Sequence, residues 1–410
     1  MPTLIALSIP GLMLFAQTAE MLAEDTAEGF GASPFQAQKA PLVQEGIKPY
    51  LDINGEVWAN TSGGERTGAE GLFQAQFGFA LDLNKLADLE GWTYAMDWHA
   101  YYGSQPSISL VGLDEASAIS NLEAQANVVR FRNISLQRSF NDGQYLIRFG
   151  QLAADDDFMV SETAGLFLNG AFGPFPAQAR AVDAPIYPLS APGIYFYAEP
   201  AEDIFMQLGV YTANAGEDNS SNWGFGWEIN GRDGAAIFYE IGTQQTPFNL
   251  PGTYTLGVFA STGDVTLNTT GETDWGVAYP YVLIDQAFLT DREGNPVLSG
   301  FFRFTTNFQH DRTIINVYTD AGLAWYGPIP GREDDTAGVA INFGSYERDY
   351  LQAELAAGND LGAEQTIIEL TYLVQVTDWF SVQPDLQIVL DPHNSRRDAW
   401  VVGLRGSMSF

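Results

Sequence analysis

The chain ends Ala399-Trp400-Val401-Val402-Gly403-Leu404-Arg405-Gly406-Ser407-Met408-Ser409-Phe410. Trp400, Val402, Leu404, Met408 and Phe410 occupy alternate positions, with Gly403, Arg405, Ser407 and Ser409 between them. Side chains alternate faces along a strand, so this segment has an apolar face and a polar one. The closing strand of an outer-membrane barrel needs that division, with lipid on one side and a lumen on the other. A half-buried edge strand in a soluble sandwich is the alternative, but it gives no reason to finish on a bare Phe.

Composition narrows the choice. The 410 residues suffice for one large domain or two to three small ones. There is no Cys, which removes disulfides and thiolate metal sites. Fifty-one Asp and Glu against 18 Lys and Arg give a net charge of −33, a field that repels nucleic acid. The apolar content, 46%, is too high for a disordered chain. The residues imply no cofactor.

The run from Leu4 to Phe15, followed by Ala16–Ala19, has the length of a signal-peptide core, although no Lys or Arg precedes it. Residues 1–23 read as a signal peptide cleaved near Ala19 or Ala23, and 24–46 as a flexible segment. A barrel domain is expected over 47–410. No other stretch approaches the roughly twenty apolar residues of a membrane-spanning helix, so a membrane form must cross with strands.

From Tyr50 onward, short alternating runs recur between turn residues, among them Thr93–Tyr102, Val128–Phe140, Gln144–Gln151, Thr366–Val376 and Phe380–Leu390. Counting weaker runs such as Phe225–Asn230 brings the total to about seventeen, and because a bacterial barrel requires an even number at least one of these runs is not a barrel strand. Asn141–Gly143 and Asn230–Gly234 have the Gly, Asn and Asp chemistry of hairpin turns. Gly103–Ala126 and Leu152–Pro192 are long. Short turns at one end and long loops at the other fit a barrel better than a sandwich. Phase agrees. Trp92, Tyr94, Met96, Trp98 and Tyr102 share one face, opposite Thr93, Asp97, His99 and Tyr101. Ile147 and Phe149 flank Arg148 in the same manner.

Catalytic options are thin. The chain has three His (His99, His310, His393), and Asp97-x-His99 lacks any accompanying nucleophile motif. It reads as a hydrogen-bonded lumen pair. The run Asp155-Asp156-Asp157 lacks the spacing of a calcium loop and reads as a solvated loop. Asn219-x-Ser221 is a formal glycosylation match without weight. The loop Leu152–Pro192 carries Phe158, Phe167, Phe172 and Phe175 together with Asn169. Such a loop either folds into a barrel mouth or covers its own rings as a surface loop. The charges expected at lumen phase are Asp97, Arg148, Arg303, Glu369 and Arg405. Arg offers a planar fork of donors and a carboxylate accepts from hydroxyls, so these five are candidates for contact with a polar cargo. Alternatively, each merely solvates the wall.

Several stretches resemble the carbohydrate-selective porins of the OprB type. They are Ile147-Arg148-Phe149-Gly150-Gln151 with Asp157-Phe158; Phe167-Leu168-Asn169-Gly170-Ala171-Phe172-Gly173; Tyr187-Pro188-Leu189; and Gly327 through Asp335. The resemblance continues through Ile368-Glu369-Leu370-Thr371-Tyr372, Trp379 through Gln387, and Gly403-Leu404-Arg405 before Phe410. It implies an all-β, sixteen-stranded transmembrane antiparallel barrel with an inward-folded constriction loop. It also implies passive diffusion of monosaccharides and similar small neutral sugars, with Asn169 and Phe172 joining the five charges at the constriction. The expected surroundings are outer-membrane lipid and lipopolysaccharide, with Phe410 presented to the barrel-assembly machinery. A secreted glycan-binding protein and a barrel enzyme are the competing readings.

Overall fold

The computed structural model describes residues 35–113, 117–124, 127–216, 222–395 and 397–410. The expected signal peptide, the first part of segment 24–46 and Asn219-x-Ser221 lie outside them. The end of segment 24–46 is ordered into helix α1 (Gln36–Gln44), which lies against the first strand.

Sixteen strands follow. They are β1 (Ile47–Ser62), β2 (Gly68–Asp82), β3 (Trp92–Gly103), β4 (Val128–Phe140), β5 (Tyr145–Leu152), β6 (Ala191–Ala201), β7 (Ile204–Thr212) and β8 (Ala235–Gln245). The second half comprises β9 (Gly252–Thr266), β10 (Thr273–Thr290), β11 (Pro296–Thr306), β12 (Ile315–Tyr326), β13 (Thr336–Tyr346), β14 (Glu364–Thr377), β15 (Phe380–Leu390) and β16 (Ala399–Ser409). Each strand pairs antiparallel with its neighbours in sequence, and β1 pairs with β16 from Asp52↔Ser409 to Ser62↔Trp400, which closes the barrel. Closure leaves no strand edge with unpaired N–H and C=O groups, the condition for crossing hydrocarbon.

Alternation then sorts the side chains. On β16, Trp400, Val402 and Leu404 are 48%, 42% and 50% exposed, whereas Val401 and Ala399 are fully buried. Similar rows, such as Ile147 and Phe149 on β5 or Val339 and Ile341 on β13, also point outward. A soluble protein would hide such a surface; a lipid-facing barrel requires it. At the seam the inward ring of Trp58 covers Gly403, where a Cβ would come within 2.2 Å of the ring.

Connections differ between the two ends. At the end that holds the chain termini they are brief, as at 141–144, 202–203 and 378–379. At the other end they include 104–127, 153–190, 213–234 and 347–363. The surplus strand of the sequence reading is Phe225–Asn230, which forms only one isolated bridge, Asn214↔Glu228. Asn230–Gly234 is therefore the tail of the long 213–234 connection and not a tight hairpin. Its Gly/Asn/Asp chemistry makes a local turn, with Asn230 accepting from the backbone of Arg232 and Asp233, but no strand precedes it.

Phe410 ties off the last strand. Its N–H donates to the Leu51 carbonyl at 2.9 Å, and its ring meets Trp379 at 5.5 Å and Phe35 at 5.1 Å. Removing Phe410 should lower the yield of folded, heat-modifiable barrel in the membrane fraction and lower its unfolding temperature. Unchanged insertion of the shortened chain would contradict this role.

Candidate functional site

The barrel interior is divided. Connection 153–190 folds inward and carries Phe158, Phe167, Phe172 and Phe175, all buried. Phe158 packs on Tyr195 and Phe238 (5.8 and 5.3 Å), and Phe175 on Tyr281 and Tyr318 (5.6 and 6.0 Å). Phe172 meets Phe167 and the wall residue Phe301. The wall from β5 to β12 and this loop therefore make a buried, aromatic core inside the barrel. Sequence left open whether the loop lies inside or outside, and its rings settle the matter because each finds its partner on the inner wall.

Charged wall groups hold the loop by its backbone. The Glu240 carboxylate on β8 accepts from the Met159 N–H at 2.8 Å. Asp285 on β10 accepts from the Thr163 N–H (3.0 Å) and the Ser161 hydroxyl (2.8 Å). Arg303 on β11 is fully buried, makes a two-point pair with Asp320 (2.9 and 2.6 Å), and donates to the carbonyls of Gly173 (2.6 Å) and Ala171 (3.1 Å). Glu369 on β14 accepts from the N–H groups of Leu168 (2.6 Å) and Asn169 (2.9 Å). The Asn169 side chain donates in turn to Gln387 at 2.8 Å.

The acidic run at the start of the loop is the other half of this grip. Asp156 receives both guanidinium ends of Arg132, and Asp157 pairs with Arg148. Asp155 accepts from the Tyr187 N–H at 3.1 Å. Asp157 is 1% exposed, so this run is not the solvated loop its composition suggests. Burial pushes the Asp157 carboxyl up to about 6, with Arg148 pulling the other way. Burial likewise raises Asp155 to about 7, against the pull of Arg132.

Connection 104–127 also turns inward, which its sequence did not signal. The Gly170 N–H donates to the Ala118 carbonyl and the Asn121 N–H to the Leu168 carbonyl, both at 2.7 Å, so the two inward loops are stitched together. Arg405 on β16 reaches across to the Asn121 side chain (2.6 Å) while pairing with Glu56 on β1. Glu56 in turn accepts from the Trp58 ring N–H at 2.7 Å.

Thus Arg148, Arg303, Arg405 and Glu369 lie at inward positions, and each is engaged with a carboxylate or with an inward loop. Asn169 and Phe172 belong to the loop itself. Asp97 sits apart on the β3–β4 wall, 3% exposed, and lies opposite Asn133. The His99 ring bonds the Tyr101 hydroxyl at 2.6 Å and stands 4.0 Å from Asp97. Sequence reasoning missed Glu56, Glu240, Asp285 and Asp320, whose flanking runs alternate too imperfectly to single them out. It missed Arg132 for a sharper reason. A bulge shifts the β3–β4 register from Asp97↔Asn133 to Trp98↔Phe131, leaving Arg132 as the extra residue. Arg132 and Asn133 are both buried, which strict alternation forbids.

A closed, lipid-facing sixteen-strand barrel with a lumen narrowed by clamped loops defines an outer-membrane porin. The chain belongs to the carbohydrate-selective porin, OprB family, whose pattern matches residues 66–410. Porin B of Pseudomonas aeruginosa is 25% identical over 430 aligned positions, covering 95% of this chain and 92% of that protein. The high-pH structure of Pseudomonas putida OprB superposes with a TM-score of 0.82 at 21% identity, covering 94% of this chain and 99% of the other. The outer-membrane channel DcaP of Acinetobacter baumannii gives 0.55 at 9% identity, covering 89% and 97%. Family and fold point to a carbohydrate channel of the outer-membrane type and do not favour an enzyme or a secreted lectin.

The Arg303 cluster is open to a stability test. Arg303→Ala leaves Asp320 buried without its partner, and breaking such a pair costs about 3–5 kcal/mol. Arg303→Met with Asp320→Leu should recover most of that loss in urea unfolding of detergent-solubilised barrel. Both variants should show noisier single-channel current, because the Ala171 and Gly173 carbonyls lose their donor. If the double variant is no more stable than Arg303→Ala, the buried charge is not the origin of the cost.

Proposed function

We propose that the channel passes neutral, monosaccharide-sized sugars and similar small polar solutes by diffusion through a fixed aperture in a Gram-negative outer membrane. The observation that carries this reading is the pairing of charge around the aperture. Arg132 faces Asp156, Arg148 faces Asp157, Arg303 faces Asp320 and Arg405 faces Glu56. Each cation is cancelled locally although the chain carries −33 overall. With these four guanidinium groups paired, and Glu240, Asp285 and Glu369 bound by loop N–H groups, the charges of the constriction are engaged within the protein and not offered to a solute, which suits an uncharged cargo that must also leave readily.

In this reading Arg148, Arg303, Arg405 and Glu369 act on the cargo through the loops, by fixing how far they protrude. Asn169 and Phe172 form the clamped stretch of the constriction, and Asp97 belongs to the wall opposite it. Lipid and lipopolysaccharide surround the apolar belt, and Phe410 is the residue presented to the assembly machinery during insertion.

Liposome swelling with a graded panel of sugars tests the aperture. The full-length protein should admit monosaccharides faster than disaccharides, and admit charged sugars of equal size no faster than neutral ones. Removing residues 160–175 should raise ion conductance and reduce that discrimination. An unaltered size cutoff after the deletion would show that the loop does not set the passage.

A further inference from the structure

With the cationic wall groups committed to the loops, a different set of residues faces the remaining passage. Inward positions on β1 alternate with the exposed Val57, and run Glu56, Asn54, Asp52, Tyr50 toward the short-turn end. Glu56 is buried under the Arg405–Asn121 contact, whereas Asn54, Asp52 and Tyr50 are only half-buried. Inward and partly exposed means facing the water-filled lumen. The change occurs one inward position below the point where Arg405 ties down connection 104–127.

At that level the cross-strand register forms a row. Gln74 on β2 opposes Asn54 on β1, Asn54 opposes Ser407 on β16, and Ser407 opposes Ser381 on β15. All four are neutral. Their hydrogen bonds run in one sense, with the Ser407 hydroxyl donating to Asn54 Oδ1 at 2.7 Å and Asn54 Nδ2 donating to Gln74 Oε1 at 3.0 Å. These bonds fix the orientation of the Asn54 amide. A primary amide has two N–H donors and two carbonyl lone pairs, so Asn54 retains one of each for a solute. Neighbouring strands stand about 4.8 Å apart, which spaces the Asn54, Ser407 and Ser381 groups across the width of a sugar ring. Gln76, the next inward residue of β2, extends the strip downward opposite Asp52.

We propose that this amide–hydroxyl row, centred on Asn54 and Ser407, is the recognition strip for polyhydroxylated cargo, just on the short-turn side of the constriction. The inference rests on the sugar-channel reading and adds where the sugar is held. Neutral groups suit the task. Each exchanges a hydrogen bond to water for one to a sugar hydroxyl at little net cost, so the cargo is retained weakly and released. The row is also pre-oriented by its own bonds, so little freedom is lost when cargo arrives.

The test is sugar block of single-channel ion current in planar bilayers, using glucose as the probe. Asn54→Leu with Ser407→Ala keeps the approximate shape of the wall and removes its polar groups. The half-blocking glucose concentration should rise about tenfold, the effect of two neutral hydrogen bonds lost, while open-channel ion conductance stays near the wild-type value. Ser407→Ala alone, which leaves the strand backbone intact, serves if the double variant assembles poorly, and should raise it about threefold. Wild-type block retained unchanged in these folded variants overturns the strip and leaves the aperture reading standing. Absence of glucose block in the wild-type channel also overturns the strip, and exclusion of glucose from liposomes that carry the wild-type channel overturns the sugar-channel reading with it.

Discussion

The bilayer core contains no water to satisfy a backbone amide, and the architecture follows from that constraint. Every strand must have two partners, so β1 must find β16. Once the sheet is a closed cylinder, strand periodicity sends each side chain either to lipid or to the interior. The interior of sixteen strands is too wide for wall side chains to fill. The long connections 104–127 and 153–190 supply the missing volume, and wall groups at inward positions are therefore free to become anchors for loop backbone.

The anchoring uses ionic groups where a soluble core would use apolar contact alone, and the reason is geometric. A loop without regular structure brings unpaired N–H and C=O groups into a dry space, each of which needs a partner. Glu240, Asp285 and Glu369 meet the N–H groups of Met159, Thr163, Leu168 and Asn169, while Arg303 meets the carbonyls of Ala171 and Gly173. Arg303 and Asp320 neutralise each other at the same time, which limits the desolvation penalty of burying either one.

Much of the barrel was legible in the chain because strand alternation is a local signal. The Trp400–Leu404 face, the Ile147–Arg148–Phe149 alternation and the length asymmetry of the connections needed no knowledge of partners. What stayed hidden depends on pairing. The Arg132 bulge is defined only against β3. The aromatic run Phe225–Asn230 alternates well enough to pass for a strand, yet it has no neighbour to bond. The acidic run at Asp155–Asp157 has the composition of a solvated loop and becomes a set of buried anchors only when Arg132 and Arg148 arrive from β4 and β5. Asn54, Gln74, Ser407 and Ser381 are unremarked polar residues until register places them side by side.

The division of the barrel interior has an evolutionary consequence. Inward residues between β5 and β12, such as Tyr195, Phe238 and Tyr279, are buried as completely as those of a soluble core, so substitutions there should be purged for the damage they do to folding. Asn54, Asp52, Ser407 and Ser381, on the inward side of β1, β16 and β15 below the Glu56–Arg405 pair, are only half-buried. One arc of the cylinder should therefore tolerate little change while the other is free to drift, and a lineage could acquire a taste for a new solute by altering a few positions on the half-buried arc without rebuilding the scaffold.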